Sequence, residues 1–303
     1  MESQVSNQSF GKYYYTHCCG ANYIRTDDWL QFFRYISNRV ITTVGPTRVL
    51  DAGCAKGFLV EAFREKGIQA YGVDISEYAI GQAHESIRPY LKVQSLTEEL
   101  DSKYDLIISI EVLEHMPQKE ALLAIERLCA ATDDIIFSSS PFDYGEPTHI
   151  NVHPPEYWSA EFARHGFYRD LDFDGSFLTP WACRFRRKSV QLVEVVTAYE
   201  RRFWELSQAE QGARKHATDV QEQLAKLQST LDEENTAGKP LTEHISELKQ
   251  LKAKMNAMLQ ERDDLASQVS SLRREQHEFW DSRAGALVRL LRGTRRFMNG
   301  SRS

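Results

Sequence analysis

Asp51 and Asp74 stand where carboxylates can hold a nucleoside. Asp51 ends the apolar run Val49-Leu50, and Asp74, 23 residues further on, ends Tyr71-Gly72-Val73. Between them, Asp51-Ala52-Gly53-Cys54-Ala55-Lys56-Gly57-Phe58 reads as a strand entering a glycine turn and then a helix. Gly53 lets the backbone turn tightly beside a ligand, and Gly57 lets the helix start close to it. An acid at the end of the second strand is placed to accept from two adjacent ribose hydroxyls, so a nucleoside-containing cofactor is expected. Nicotinamide dinucleotide is one candidate. The other is an adenosine cofactor without phosphate, because Ala55 puts a Cβ where a pyrophosphate usually approaches the backbone.

A second group of residues can handle an acceptor. Glu111-Val112-Leu113-Glu114-His115 follows an apolar strand, and Thr148-His149-Ile150-Asn151-Val152-His153 follows the next one. Glu111 and Glu114, three apart at a helix start, can face one side with His115 beside them. With a histidine of the second loop they make a two-carboxylate, two-imidazole cup for Mg²⁺ or Mn²⁺, and spacing favours His153. Without a metal, His149 or His153 is the expected general base, since an imidazole near its unperturbed pKa of about 6.5 accepts a proton at neutral pH. The alternatives are that Glu114 and His115 only cap a helix, and that the histidines only satisfy the backbone of a proline-rich loop.

These segments together resemble the class I S-adenosylmethionine-dependent methyltransferases. Their first motif is similar to Leu50-Asp51-Ala52-Gly53-Cys54-Ala55-Lys56-Gly57, and their central strand and turn to Tyr104 through His115. The resemblance spans about residues 45–187 and implies that Asp51, Gly53, Cys54 and Gly57 border S-adenosylmethionine. It also implies that Asp74 holds the ribose, that Ile75, Ser95 and Leu96 flank the adenine, and that Glu111 lines the pocket. The family usually has Gly at Ala55 and often Asp at Ser95. Small-RNA 2'-O-methyltransferases and some quinone-ring O-methyltransferases carry a similar ExxEH pattern as a metal site.

The elements that must position these residues follow from apolar periodicity. Strands are expected at 48–51, 69–73, 104–110 and 134–139, with helices at 58–66, 76–86 and 118–129, which is the alternation of a doubly wound α/β sheet. A helix near 156–165 and strands in 168–174 and 181–186 complete a Rossmann-like domain over 45–189. Residues 1–44 form an aromatic lid with Tyr13, Tyr14, Tyr15 and Tyr23, then a helix with Trp29, Phe32, Phe33, Ile36 and Val40 at helical spacing. Asp27 or Asp28 is its expected N-cap.

Beyond residue 190 the period changes. Alternate steps of four and three from Leu192 reach Leu231 through twelve positions, of which only Glu210 is not apolar, so a long C-terminal coiled coil over 190–282 is expected. Gly238 and Pro240 break it at 236–240. The tail 283–303 carries Arg283, Arg289, Arg292, Arg295, Arg296 and Arg302 among apolar residues, an amphipathic segment suited to an anionic bilayer.

Charge and composition narrow the function. Residues up to 190 hold 19 basic and 26 acidic side chains and the remainder 18 and 17, for a net charge of -6. An acidic core argues against DNA and puts RNA 2'-O-methylation behind other acceptors. Five scattered cysteines without a CxxC pair fit a reducing cytoplasm, and neither a leader nor an apolar span of 18 residues is visible. The expected activity is O-methylation of a polar hydroxylated acceptor, a sugar of a glycan or glycolipid, by an enzyme held near glycan-synthesis proteins at the inner face of the membrane. The seam implies a homo-oligomer. The alternatives are a small-metabolite or quinone-precursor O-methyltransferase and an inactive coiled-coil scaffold.

Overall fold

The computed structural model describes residues 10–19, 22–236, 249–250, 252–257, 260 and 264. They fall into two units, Met1–Ser189 and Val190–Ser303.

The first unit is built on seven strands in the order β3-β2-β1-β4-β5-β7-β6. β1 (Arg48–Ala52), β2 (Gln69–Asp74), β3 (Leu91–Val93), β4 (Leu106–Ile110) and β5 (Asp134–Ser138) run parallel. β1 and β4 are buried almost throughout, as helix-covered parallel strands require. β6 (Phe167–Arg169) and β7 (Cys183–Arg187) form an antiparallel edge pair, with β7 against β5. The sheet is therefore mixed, where the alternation of elements leads one to expect a parallel one. β7 follows a loop from β6 rather than a crossover helix, and antiparallel neighbours need no crossover. Strand order reverses at β1, where β2 lies on one side and β4 on the other, so a crevice opens at their carboxyl ends.

Two apolar layers cover the sheet. On one face α2 (Asp27–Thr43) and α3 (Phe58–Glu65) bury Ile36, Val40, Phe58, Leu59 and Phe63. The other face carries α5 (Gln118–Ala131) and α6 (Pro155–Arg164), with Ile125, Leu128, Trp158 and Phe162 inside. α2 starts one residue earlier than expected. Its N-cap is Thr26, whose hydroxyl oxygen accepts from the Trp29 N–H at 3.4 Å, while Asp27 and Asp28 occupy the first turn, where a carboxylate favours the helix dipole. α4 (Glu77–Gly81) is half its expected length, because glycine is a poor helix former and the chain turns at Gln82. Part of the expected aromatic loop is a short helix, α1 (Lys12–His17).

The second unit contains α7 (Leu192–Thr236), 45 residues long. Every seam position from Leu192 to Leu227 is buried or half-buried, with Leu206, Ala217 and Val220 most enclosed. The break at 236–240 beyond Thr236, most of the second heptad segment and the basic tail 283–303 lie outside the described residues. No described helix is long and apolar enough to cross a membrane.

Candidate active site

A cavity of about 450 Å³ opens at the reversal of strand order. Its floor is the turn after β1. Gly53 and Gly57 have φ of 90° and 74°, a region that side chains strain. A Cβ on Gly53 would lie 2.3 Å from Val112 Cγ2, and one on Gly57 would lie 2.7 Å from Ile87 and Leu91 methyls. Both glycines are thus required by backbone angle and by neighbours. The N–H groups of Gly53 and Cys54 donate to Val73 O at 2.8 and 3.0 Å, which locks the turn onto the end of β2.

Asp74 is part of the same lock. Its two carboxylate oxygens accept from the N–H of Ala55 at 2.8 Å and of Ser76 at 2.7 Å. Each oxygen keeps a second lone pair for a ligand hydroxyl. Burial raises its pKa, and the two backbone donors pull it back down. Ala55 itself has φ of 49°. The departure from glycine here costs left-handed backbone strain of about 1–2 kcal/mol, an effect larger than the added methyl volume weighed from sequence.

Asp51 is enclosed beneath the turn. Burial, followed by the nearby Asp74 carboxylate, pushes its pKa up to about 8. Between about pH 4 and 8 the folded chain therefore binds more protons at Asp51 than the unfolded chain, so ligand-free stability falls as pH rises through that window. A cofactor ammonium beside Asp51 would favour the carboxylate. S-adenosylmethionine binding at pH 7 is then expected to release a proton, read calorimetrically in buffers of different ionisation enthalpy, and Asp51→Asn should remove that release.

Ile75, Ser95 and Leu96 line the cavity beside Asp74. The Ser95 hydroxyl pairs with that of Thr97 at 2.8 Å, and Leu96 is mostly buried in the core.

Across the cavity, Glu114, His115 and His149 bring ligating atoms within 4.8 Å of one another. Glu114 and His115 belong to a 3-10 turn, Leu113–His115, rather than to an α-helix start. One Glu114 oxygen accepts from Ser140 N at 3.2 Å, and the other is buried with no hydrogen-bond partner among the described residues. Burial, then Glu111, raises Glu114 well above the usual carboxylate range. Glu111 has φ of 52°, and its Oε1 accepts from Ser138 Oγ at 2.5 Å and Trp181 Nε1 at 2.9 Å.

The surrounding groups fix both imidazoles. The Thr148 hydroxyl donates to the Glu146 carboxylate, so Thr148 Oγ1 must accept from His115 Nδ1 at 2.8 Å. That leaves the Nε2 lone pair of His115 to accept from the Tyr14 hydroxyl at 3.3 Å. His149 Nδ1 faces the Asp143 carbonyl at 2.8 Å, and a carbonyl can only accept, so the Nε2 of the neutral ring also carries a lone pair. Burial, and then His149, lowers His115 to about 4, so it is neutral at pH 7. A buried unpaired carboxylate oxygen and two imidazoles whose far nitrogens are held by other groups suit a divalent cation.

His153 is placed elsewhere. It stacks on Tyr157 with centroids 3.7 Å apart and bonds to Asn151 Oδ1 at 3.0 Å. It does not line the cavity. His149 takes the position that spacing assigned to His153, because Ile150 and Asn151 donate to Glu114 O at 2.9 Å and so anchor the loop immediately after His149. Sequence reasoning placed Tyr14 in the lid and Glu146 as a residue that could orient the histidine, but gave no role to Thr148 or Lys56. The Lys56 ammonium donates to Tyr23 O at 2.5 Å and lies over Tyr15 and Tyr78, tying the N-terminal segment to the glycine turn.

Residues 23–170 match the family described as methyltransferase domain. Similar proteins include the magnesium-protoporphyrin O-methyltransferase of Synechocystis sp., 35% identical over 106 residues covering 32% of this chain and 46% of that protein. Another is the ubiquinone biosynthesis O-methyltransferase of Methylococcus capsulatus, 28% identical over 107 residues covering 32% and 45%. The chain thus spans about half the length of the curated relatives it matches. The solved magnesium protoporphyrin IX methyltransferase of Synechocystis with bound S-adenosylmethionine is similar at a TM-score of 0.47 and 20% identity, over 62% of this chain and 100% of that one. The family match over residues 23–170, the strand order and the glycine turn flanked by Asp51 and Asp74 together mark those residues as a class I S-adenosylmethionine-dependent methyltransferase domain with a Rossmann-like fold.

Proposed function

We propose that the chain methylates a hydroxyl oxygen of a small acceptor bound between the cofactor turn and the Glu114–His115–His149 cluster. The carrying observation is that His115 and His149 line one cavity with Asp51, Gly53, Ala55 and Asp74, while Glu114 is buried within ligating distance of the two imidazoles. In this proposal Asp74 holds the ribose hydroxyls, Asp51 faces the cofactor's ammonium end, and Gly53 and Gly57 give clearance. Ile75, Ser95 and Leu96 border the adenine. Glu114, His115 and His149 would hold Mg²⁺ or Mn²⁺, which when bound would acidify and orient the acceptor hydroxyl. Without a cation, His149 is the base, since its neutral tautomer presents an Nε2 lone pair, whereas that of His115 accepts from the Tyr14 hydroxyl.

The names of the similar proteins, O-methyltransferases of ubiquinone biosynthesis and of magnesium-protoporphyrin, support a small-molecule acceptor over the glycan first expected. A sugar hydroxyl is the second reading, favoured only by the stalk arrangement. Homo-oligomerisation through the 190–282 seam is part of the proposal and rests on the heptad period of the sequence. Contact of the basic tail with anionic membrane stands on sequence alone.

The test is transfer of labelled methyl from S-adenosylmethionine to 1,2-dihydroxybenzene, whose adjacent oxygens can chelate a cation. Turnover lost on chelation and restored by Mg²⁺ or Mn²⁺ is expected. Undiminished turnover after exhaustive chelation would leave the histidine-base route, and no hydroxyl methylation at all would reject the function.

A further inference from the structure

We infer that Asn151 and His153 are positioning residues for the Glu114–His115–His149 cluster. Asn151 clamps the loop carrying His149 onto the turn carrying Glu114 and His115, and His153 fixes the orientation of the Asn151 amide. This rests on the hydroxyl-methylation reading and adds the residues that set the spacing of its reacting groups.

The clamp is buried, with Asn151 only 5% exposed. The N–H groups of Ile150 and Asn151 donate to Glu114 O at 2.9 Å, and the Asn151 side chain donates through Nδ2 to Leu113 O at 3.0 Å. Two consecutive carbonyls of the 3-10 turn are thus tied to a residue two positions after His149. Beside this tie the rings of His115 and His149 meet edge to face, with centroids 4.6 Å apart. The backbone bonds would survive a change of side chain at 151. The bond to Leu113 O would not, since it needs a side-chain N–H.

The amide can point only one way. A carbonyl only accepts, so Nδ2 faces Leu113 O and Oδ1 faces His153 Nε2 at 3.0 Å. Oδ1 accepts as well, so Nε2 of His153 carries the proton of that bond. Flipping the amide would set Oδ1 against Leu113 O, acceptor against acceptor. His153 is itself held face to face with Tyr157 at 3.7 Å and edge-on to Trp158 at 5.6 Å. The Tyr157 hydroxyl oxygen accepts from Gln118 Nε2 at 2.9 Å. α5 and α6 therefore set the ring, the ring sets the amide, and the amide sets the cluster. Loss of such an outer group typically costs about 10–100-fold in cation affinity or activity.

The test measures labelled methyl transfer to 1,2-dihydroxybenzene, with S-adenosylmethionine and Mn²⁺ affinities read by calorimetry. Asn151→Ala is expected to lower kcat and Mn²⁺ affinity at least about tenfold, with S-adenosylmethionine affinity within about threefold of wild type. His153→Ala, which leaves Oδ1 without its donor, should do the same. His153→Gln can present an N–H at the place of Nε2 and should keep kcat within about threefold. A side chain that only supported the fold would lower S-adenosylmethionine affinity along with kcat, and glutamine would not rescue it. Wild-type kcat in Asn151→Ala or His153→Ala, or equal losses in the two His153 variants, would overturn the inference while leaving hydroxyl methylation standing. If Asn151→Ala does not fold, the two His153 variants decide in the same way. No transfer by wild-type chain that binds S-adenosylmethionine would remove the hydroxyl reading, and the inference with it.

Discussion

Replacing Gly53 with alanine is expected to weaken S-adenosylmethionine binding at least a hundredfold. The new Cβ would stand 2.3 Å from Val112 Cγ2 and 3.0 Å from Cγ1, distances that require Val112 to move. Val112 lies between Glu111, already at positive φ, and the 3-10 turn that carries Glu114 and His115. Displacement therefore spreads from the cofactor floor to the acceptor cluster. Overpacking costs about 1–3 kcal/mol, and a left-handed alanine adds about 1–2. Thermal unfolding should show the stability loss, and calorimetry the lost affinity. A variant with wild-type affinity would mean that the turn does not seat the cofactor.

Glu114→Gln is expected to lose turnover by at least a hundredfold while S-adenosylmethionine affinity stays within about threefold. The amide keeps the shape and can still accept from Ser140 N, but it removes the carboxyl group that a cation held with His115 and His149 would need. Its effect should thus fall on kcat rather than on cofactor binding. The substitution also removes the burden of a buried carboxyl beside Glu111, so the variant should unfold at the same or a higher temperature. Full turnover in this variant would take Glu114 out of the chemistry and reduce it to a brace for residues 140, 150 and 151.

The central strands were legible because helix-covered parallel strands are nearly continuous apolar runs ended by a polar residue, as at Asp51 and Asp74. The helix α7 was legible for a similar reason, since a repeat of four and three needs no tertiary information. What escaped were features set by contacts distant in sequence. His149 rather than His153 reaches the cluster because the 150–151 backbone is anchored on Glu114, and no spacing rule encodes that anchor. Tyr14 sits 101 residues from the His115 it touches. Ala55 looked like a question of side-chain volume, and only the backbone angle shows it as strain. The antiparallel edge pair was hidden because β6 is three residues long, too short for periodicity to give it a direction.

The most direct measurement is calorimetric titration of S-adenosylmethionine into the wild-type chain and into Asp74→Ala. Binding at the end of β2 predicts a single site per chain in the wild type. Loss of charge-assisted bonds worth about 2 kcal/mol or more predicts affinity reduced at least about thirtyfold in the variant. Wild-type chain that does not bind, or an Asp74→Ala variant that binds equally well, would contradict the placement of the cofactor between Asp51 and Asp74.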